Sequence, residues 1–283
     1  MSGLSVCLFG TVRAAPLPPR VTRGLSLVEL MISLALGLLL IAAVGTLYLG
    51  GNRTYLAEQD ASQIQDAGRY ALDAIGRALR QAGYANTSSN QAAAMTPFTG
   101  TPIKSVSDDC PSAFTIQYDG IAGEKDCEAN TMVAGQMVQQ TFFVGEDFGE
   151  TSDTTVPSLR CDADRPTPIT CPTARNGAAL LRNVEDLEIL YGIDTNTDQS
   201  ADRYDPGNLV SDWRQVVSVR VCVLVRSETP GSAPSGQTYF NCAGALGTAP
   251  DEAARFTTVT TDTRLRRAFV GTFTLRNRIS AIP

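Results

Sequence analysis

The hydrophobic pattern of the chain is dominated by one long apolar run near its N-terminus. Residues 25–49 contain a single charged side chain, Glu29. A helix rises about 1.5 Å per residue and needs roughly 20 apolar residues to cross the hydrocarbon of a bilayer, so this run is long enough. A buried core helix is the alternative, but such helices are rarely apolar on every side over this length. The pattern therefore predicts a membrane-inserted helix.

The more polar sequence that follows keeps a helical period to about Tyr84. Apolar positions recur every three or four residues and form one stripe: Ile64, Ala67, Ala71, Ala74/Ile75, Ala78/Leu79 and Ala82. Charged side chains are expected on the other faces: Asp60, Asp66, Arg69, Asp73, Arg77 and Arg80. Gly83 is expected to end the helix. We therefore predict one helix, or two nearly continuous helices, over residues 25–81, with the second half packed on a core.

The rest of the chain has the alternating pattern of β-strands, after a polar loop that extends to about Ser107. The predicted strands are residues 113–118, 136–144, 187–191, 213–225 and 268–276. The fourth should be a central strand, because its valines from Val217 to Val225 alternate onto one face. The last should point Phe269, Phe273 and Leu275 inward. Clusters of Gly, Pro and Ser predict long loops at residues 147–157 and 229–236. The fold class is therefore α+β.

Composition and charge place most of the chain outside the cytoplasm. The 283 residues, 43% apolar and 18% charged, suffice for a membrane helix and one globular domain. Residues 1–24 hold three arginines and no acid, so removing their charge of +3 changes the net charge from −6 to −9. An acidic protein of this kind argues against nucleic-acid binding through a general basic surface. The basic flank before the helix predicts a cytoplasmic N-terminus and an exported C-terminal part.

Cysteine usage agrees with export and points away from catalysis. Beyond Cys7, six cysteines form three neighbouring couples in the sequence, which predict the disulfides Cys110–Cys127, Cys161–Cys171 and Cys222–Cys242. A zinc site is the alternative, but the chain has no CxxC pair and no His. The absence of His also excludes Ser-His-Asp and Cys-His catalysis. Adjacent acids such as Glu185-Asp186 are interpreted as solvated loop residues, so we predict no enzyme.

One acidic stretch has the spacing of a calcium-binding loop. Oxygen-bearing side chains occupy its first, third, fifth, seventh, ninth and twelfth positions: Asp194, Asn196, Asp198, Ser200, Asp202 and Asp205. The pattern departs from an EF-hand at Gln199, where Gly is needed for the turn, and at Asp205, where Glu normally reaches the ion. No flanking helix pair is evident. An Asp/Asn-rich surface turn is the alternative to a calcium site.

The start of the apolar run resembles a known processing signal. The sequence Gly24-Leu-Ser-Leu-Val-Glu29-Leu is similar to the class III signal of type IV prepilins and pseudopilins. In that family a prepilin peptidase cuts after the Gly and methylates the new N-terminus, and the Glu guides subunit docking. The resemblance implies processing between Gly24 and Leu25, although the family prefers Phe at the latter position, and a docking role for Glu29. An ordinary secretory signal, with a shorter apolar run before the cut, is the alternative.

Later blocks resemble the PilW group of minor pilins. They are residues 68–84, 183–196, 213–221 (Trp213-Arg-Gln-Val-Val-Ser-Val-Arg-Val) and 264–278. The resemblance implies a pilin-like fold, in which a long N-terminal helix packs on an antiparallel β-sheet domain with disulfides. It divides the chain into a leader (1–24), a transmembrane and filament-core helix (25–49), its amphipathic half (50–84) and a periplasmic or extracellular β-rich domain (85–283).

The same resemblance implies a role and partners. A PilW-type minor pilin takes part in the tip complex that initiates pilus assembly. It first spans the inner membrane with its C-terminal domain in the periplasm and later joins the extracellular pilus. The implied partners are prepilin peptidase, other minor pilins, the major pilin and the inner-membrane assembly platform, with no nucleic acid. Two alternatives remain: a minor pseudopilin of type II secretion (GspJ-like), or a membrane-anchored binding or adhesion domain that never enters a filament.

Overall fold

The computed structural model describes residues 24, 26–85, 103–105, 113–148, 155–163 and 177–277. The chain divides into two compact units, Met1–Asn52 and Arg53–Pro283. Helix α1 is one continuous α-helix, Leu27–Gln81. The sequence predicted either one helix or two nearly continuous helices here, and the structure has the first form. Just beyond its end, Gly83 has a φ of 75°, the left-handed conformation in which glycine commonly follows a helix.

In the described residues of the second unit, eleven strands form three antiparallel sheets. The five-stranded sheet has the order β1 (Ile103–Ser105), β2 (Ala113–Asp119), β3 (Met137–Phe148), β4 (Thr155–Asp162) and β5 (Ala178–Arg182). The four-stranded sheet has the order β11 (Arg266–Thr274), β8 (Val216–Arg226), β6 (Val184–Ile193) and β7 (Arg203–Asp205). The two-stranded ribbon pairs β9 (Gln237–Phe240) with β10 (Phe256–Val259). A short helix, α2 (Cys242–Leu246), follows β9.

Strand β8 is central in its sheet, as its alternating valines predicted. It pairs with β11 on one side and β6 on the other. Its core-facing positions Val219, Val221, Val223 and Val225 are at most 1% exposed. It begins at Val216 rather than Trp213, because residues 213–215 form a 3₁₀ turn in which the Arg214 N–H donates to the Asp212 carboxylate. The opposite face of β8 is also covered, since Cys222 and Leu224 pack with Cys242 and Leu246 of α2.

The main core lies between the C-terminal half of α1 and the two larger sheets. The apolar stripe of the helix is buried as predicted; its most enclosed members are Ile64, Ala71, Ile75, Leu79 and Ala82. They belong to one cluster with Phe114 and Leu159 of the first sheet and Leu187 of the second. Burial of this stripe supplies most of the stability of such a helix, because propensity alone contributes little. The predicted α+β fold, a long helix on antiparallel sheets with disulfides, is confirmed.

Two helical glycines allow the last strand to approach α1 closely. A Cβ added at Gly68 would lie 2.3 Å from the Phe269 ring, and one at Gly76 would lie 2.4 Å from the Phe273 ring. Both rings belong to β11 and pack against the main core, as does Leu275 just beyond it. The predicted inward orientation of these side chains is therefore confirmed. The glycines act as notches into which the strand's aromatic rings fit.

Several elements differ from the sequence-based expectation. Residues 147–157 are not one loop, because β3 continues to Phe148 and β4 begins at Thr155. Pro157 lies inside β4 opposite Glu146, but β5 pairs only from Ser158 onward. Its missing N–H therefore costs no bond to β5. Strands β1, β4, β5, β7, β9 and β10 were not predicted, since most are short and β4 contains a proline.

Candidate processing and assembly segment

The predicted processing site lies immediately before α1. Gly24 is exposed, and Leu25 lies outside the described residues. Helical hydrogen bonding begins at Ser26, whose carbonyl accepts from the Leu30 N–H at 3.1 Å. Glu29 therefore lies in the first helical turn, where the helix dipole favours a negative charge. In the sequence, Glu29 follows Gly24 by five residues.

The first part of α1 exposes apolar side chains on every side. The large hydrophobic residues from Leu27 to Leu49 are between 56% and 77% exposed. By length and composition, the helix is long and apolar enough to cross a membrane. An exposed apolar surface of this extent marks a contact with lipid or with other proteins. The segment is therefore suited to membrane anchoring and to packing against similar helices.

The disulfide pattern differs in part from the prediction. The Cys222–Cys242 bond joins β8 to α2 with a Cα–Cα distance of 5.6 Å, as predicted. The pairs Cys110–Cys127 and Cys161–Cys171 are wrong, because Cys127 is bonded to Cys161 at a Cα–Cα distance of 6.1 Å. Cys110 and Cys171 themselves lie outside the described residues.

The tertiary arrangement explains the unexpected bond. Cys161 lies in β4, and Cys127 lies in the long loop between β2 and β3. That loop folds back toward the end of β4, where the Glu128 carboxylate accepts from the Ala163 N–H at 3.2 Å. The fold of the sheet thus brings together two cysteines that are 34 residues apart in sequence. Sequence proximity was a poor guide because the connection between neighbouring strands is long.

The acidic loop after β6 uses its carboxylates to hold its own backbone. The buried Asp194 accepts hydrogen bonds from the amides of Thr197 and Gln199 at 2.6 and 2.8 Å. Asp202 accepts from the backbone and the hydroxyl of Thr195, which lowers the pKa of this carboxyl. Within the described residues, no group of three or more Asp, Glu or Cys side chains gathers as a metal site.

This arrangement bears on the predicted calcium ligands. Five of the six predicted ligands lie in the loop between β6 and β7, and the sixth, Asp205, is the last residue of β7. The five are Asp194, Asn196, Asp198, Ser200 and Asp202. Gln199, where a calcium loop needs Gly, has a φ of 68°. The observed hydrogen bonds are those of an Asp/Asn-rich surface turn. Calcium binding stays a prediction, and calorimetry at millimolar calcium tests it.

Two carboxylates on β6 lie in a partly buried environment. Asp186 and Glu188 are opposite Leu224 and Cys222 of β8, on the face of the sheet that α2 covers. Burial, with repulsion from Asp186, raises the pKa of Glu188 to about 7. Burial likewise raises the pKa of Asp186. Glu188 therefore changes its charge near neutral pH.

The neighbouring acid Glu185 is held by two arginines. Arg266 of β11 donates to its two carboxylate oxygens at 2.6 and 2.8 Å, and Arg226 of β8 donates at 3.1 Å. Arg266 also donates to Asp262 at 2.5 Å. Burial opposes the charge of Asp262, but the hydrogen bond from Arg266 prevails and lowers the pKa of Asp262. The acids at 185 and 186 are therefore not solvated loop residues, because strand β6 places them beside the arginines and the α2-covered face.

Asp60 also differs from its expected position. It was placed on the solvent face of α1, yet it is 5% exposed. Its carboxylate accepts hydrogen bonds from the hydroxyls of Thr229 and Ser232, which lie in the loop between β8 and β9. The helical period could not show this contact, because the partner loop lies 169 residues away in sequence. Asp60 fixes this loop to the helix.

Comparison with known proteins places these features in a family. The family model described as Type IV Pilus-assembly protein W matches residues 141–277, and the model of the prokaryotic N-terminal methylation motif matches residues 19–45. The chain is similar to PilW-type type IV pilins. Its structure is also similar to a type IV-like pilin from Thermus thermophilus, with 14% sequence identity and a TM-score of 0.42, over 76% of this chain and 97% of the other. No curated protein matches the sequence.

The two matched regions correspond to two parts of this PilW-like chain. The methylation motif contains Gly24, Leu25 and Glu29. The PilW region begins within β3 and ends after β11, so it includes the four-stranded sheet and the Cys222–Cys242 bond. The notches at Gly68 and Gly76 lie outside both regions. A sequence signal for them exists, since glycines eight residues apart share roughly one side of a helix.

Proposed function

We propose that this PilW-like chain is a minor type IV pilin with a structural rather than a catalytic role. Prepilin peptidase would cut it after Gly24 and methylate the new amino group of Leu25. The mature protein would stay in the inner membrane with its globular unit in the periplasm until it enters a complex with other minor pilins that primes pilus assembly. The major pilin and the inner-membrane assembly platform are the further partners of this proposal.

The observation that carries the proposal is the exposed apolar helix with one carboxylate in its first turn. A charged side chain within a bilayer costs at least about 2.5–3.5 kcal/mol near the centre, so it needs a partner. After cleavage, the α-amino group of Leu25 would lie four residues before Glu29, about one helical turn away. An amine of this chain or of a neighbouring subunit can then pair with the carboxylate. Such a pair would favour one register between packed helices.

The charge distribution supports the proposed orientation. Arg13, Arg20 and Arg23 precede the apolar run, and no acid accompanies them. Basic residues at one end of a membrane helix favour the cytoplasmic side. The Cys127–Cys161 and Cys222–Cys242 bonds are stable in an oxidising compartment, which agrees with a periplasmic location of the globular unit.

The first test is the mass of the N-terminal peptide of the membrane-bound protein, in cells with and without prepilin peptidase. We expect an N-methylated Leu25 that disappears when the peptidase is absent. An uncleaved chain, or a cut after the apolar run, would refute processing as a pilin. A cut after the apolar run would instead indicate an ordinary secretory signal.

A second test separates assembly from anchoring. Glu29→Ala should leave cleavage intact but abolish the contribution of the protein to pilus assembly, because the proposed amine–carboxylate pair is lost. Glu58→Ala, which removes another exposed acid of α1, is the matched control and should have no effect. Normal assembly with Glu29→Ala would favour an anchored binding domain. A secretion defect in place of a pilus defect would favour a type II secretion pseudopilin.

A further inference from the structure

We propose that the outer edge of strand β11 is a docking site for an extended, acidic segment of another subunit, which adds to the sheet as a further strand. The proposal rests on the proposed function in one respect: the partner is a subunit that this chain contacts in the assembling complex. It is carried by three observations: the open backbone of β11, the contrast with the other sheet edges, and the positive charge of the adjoining surface.

The hydrogen-bond register shows which backbone groups of β11 point outward. The Leu275 N–H donates to Val217 and the Ser227 N–H donates to Leu265, so the odd-numbered residues of β11 bond to β8. In an antiparallel pair the residues between them direct their N–H and C=O groups to the other side. In β11 these residues are Arg266, Ala268, Val270, Thr272 and Thr274. In the described part of the chain, β11 pairs with β8 alone.

The other edges of the two larger sheets are built differently. Edge strands β1 and β7 have three residues each, and β5 has five residues with a register shift in its pairing to β4. Short edges and bulges are common ways to prevent unwanted strand pairing. β11 instead pairs with β8 over nine residues without a register shift. From Ala268 to Thr274 it carries no charge and no proline.

The outward side chains of β11 are accessible to a partner. Val270 is 42% exposed, and Thr272 and Thr274 are also exposed. The opposite side of the strand is fixed, because Phe269 and Phe273 fill the glycine notches of α1. The edge is therefore rigid before a partner arrives, which reduces the entropy cost of strand addition.

The surface beside this edge is positively charged although the mature protein is acidic. Between Gly68 and the end of α1 the exposed charges are Arg69, Asp73, Arg77 and Arg80. Asp73 is shared between two of these arginines, at 3.3 Å from Arg77 and 3.9 Å from Arg80. Arg267 adds another exposed positive charge at the start of β11. The local charge of +3 contrasts with −9 for residues 25–283, so an acidic strand is the complementary partner.

Photocrosslinking in the intact chain tests this proposal. Thr272 is replaced by the photoreactive residue benzoylphenylalanine, which is activated by light in cells that assemble the complex. The crosslinked peptides are then identified by mass spectrometry. We expect a crosslink to an extended segment of a different protein with an excess of Asp and Glu. A crosslink to a second copy of this chain or to its own residues, or no crosslink, would overturn the proposal. The N-terminal mass from the same cells shows separately whether pilin processing took place.

Three variants test the mechanism of docking. Val270→Pro removes an outward N–H without breaking a bond to β8, and Arg267→Glu reverses the nearest charge. Each should lower the crosslink yield by about tenfold or more, whereas the exposed control Arg255→Glu should leave it unchanged. The melting temperature of each variant in detergent shows whether it folds. Thr274→Glu places a negative charge on the edge, which repels an acidic strand, and serves if the proline variant unfolds. Undiminished crosslinking in these variants would contradict strand addition.

Discussion

The fit of β11 into the notches of α1 predicts that alanine, normally the best helix former, is harmful at Gly68. In an exposed helix, Gly→Ala stabilises by about 1 kcal/mol. Here the new Cβ would lie 2.3 Å from Cδ2 and 2.5 Å from Cγ of the Phe269 ring. The ring must move by about 1 Å or more, because non-bonded carbon atoms prefer separations of about 3.5–4.0 Å.

The magnitude follows from these two opposing effects. Inserting an extra methyl group into a packed core typically costs about 1–3 kcal/mol. After subtraction of the helix-propensity gain of about 1 kcal/mol, Gly68→Ala should destabilise the protein by up to about 2 kcal/mol. Gly76→Ala should behave alike, since its Cβ would lie 2.4 Å from the Phe273 ring. Gly51→Ala is the matched control, because nothing lies within 4 Å of a Cβ at that position, and it should not destabilise.

The assay is denaturant unfolding of the mature chain in detergent, followed by near-UV circular dichroism. A double-mutant cycle with Phe269→Leu isolates the contact. If the ring is the cause, the double variant should be more stable than the sum of the two single effects by at least about 0.5 kcal/mol. The reasoning is refuted if Gly68→Ala is as stable as Gly51→Ala and the cycle is additive.

Three further predictions concern the globular unit. Cys127→Ser should lower the free energy of unfolding by about 3–4 kcal/mol. Peptide mapping of the wild type without reduction should recover Cys127 linked to Cys161. A Cys110–Cys127 peptide would contradict the structure. Because the folded-state pKa of Glu188 is raised from 4.5 to about 7, the stability it contributes is complete below pH 4.5 and is lost as the pH rises to 7. Glu188→Gln should therefore be more stable than the wild type at pH 8 by about 1–2 kcal/mol, after allowance for solvent screening. Urea unfolding at several pH values measures this difference. The reasoning is refuted if the variant and the wild type show the same pH dependence of stability. Asp60→Ala should destabilise the protein by about 1–2 kcal/mol and speed hydrogen exchange in residues 229–236, whereas equal exchange would show that its hydroxyl contacts do not hold the loop.

The elements with a long, regular hydrophobic period were predictable from the sequence alone. The apolar run up to Leu49 and the stripe from Ile64 to Ala82 predicted helical structure over the whole segment, as one helix or two nearly continuous helices. This was possible because a helix buried on one side repeats its apolar residues every three or four positions. The alternating valines of β8 predicted a central strand for the same reason. The motif from Gly24 to Glu29 was readable because it consists of adjacent residues.

Contacts between distant segments were decided only by the tertiary structure. The sequence placed Asp60 on a solvent face, but the loop with Thr229 and Ser232 folds over it. It paired Cys127 with its neighbour, whereas the order of the strands places it beside Cys161. The open edge of β11 likewise follows from which strands pair, and local periodicity does not determine pairing. Local patterns record which side of an element is buried; only the folded chain determines what covers it.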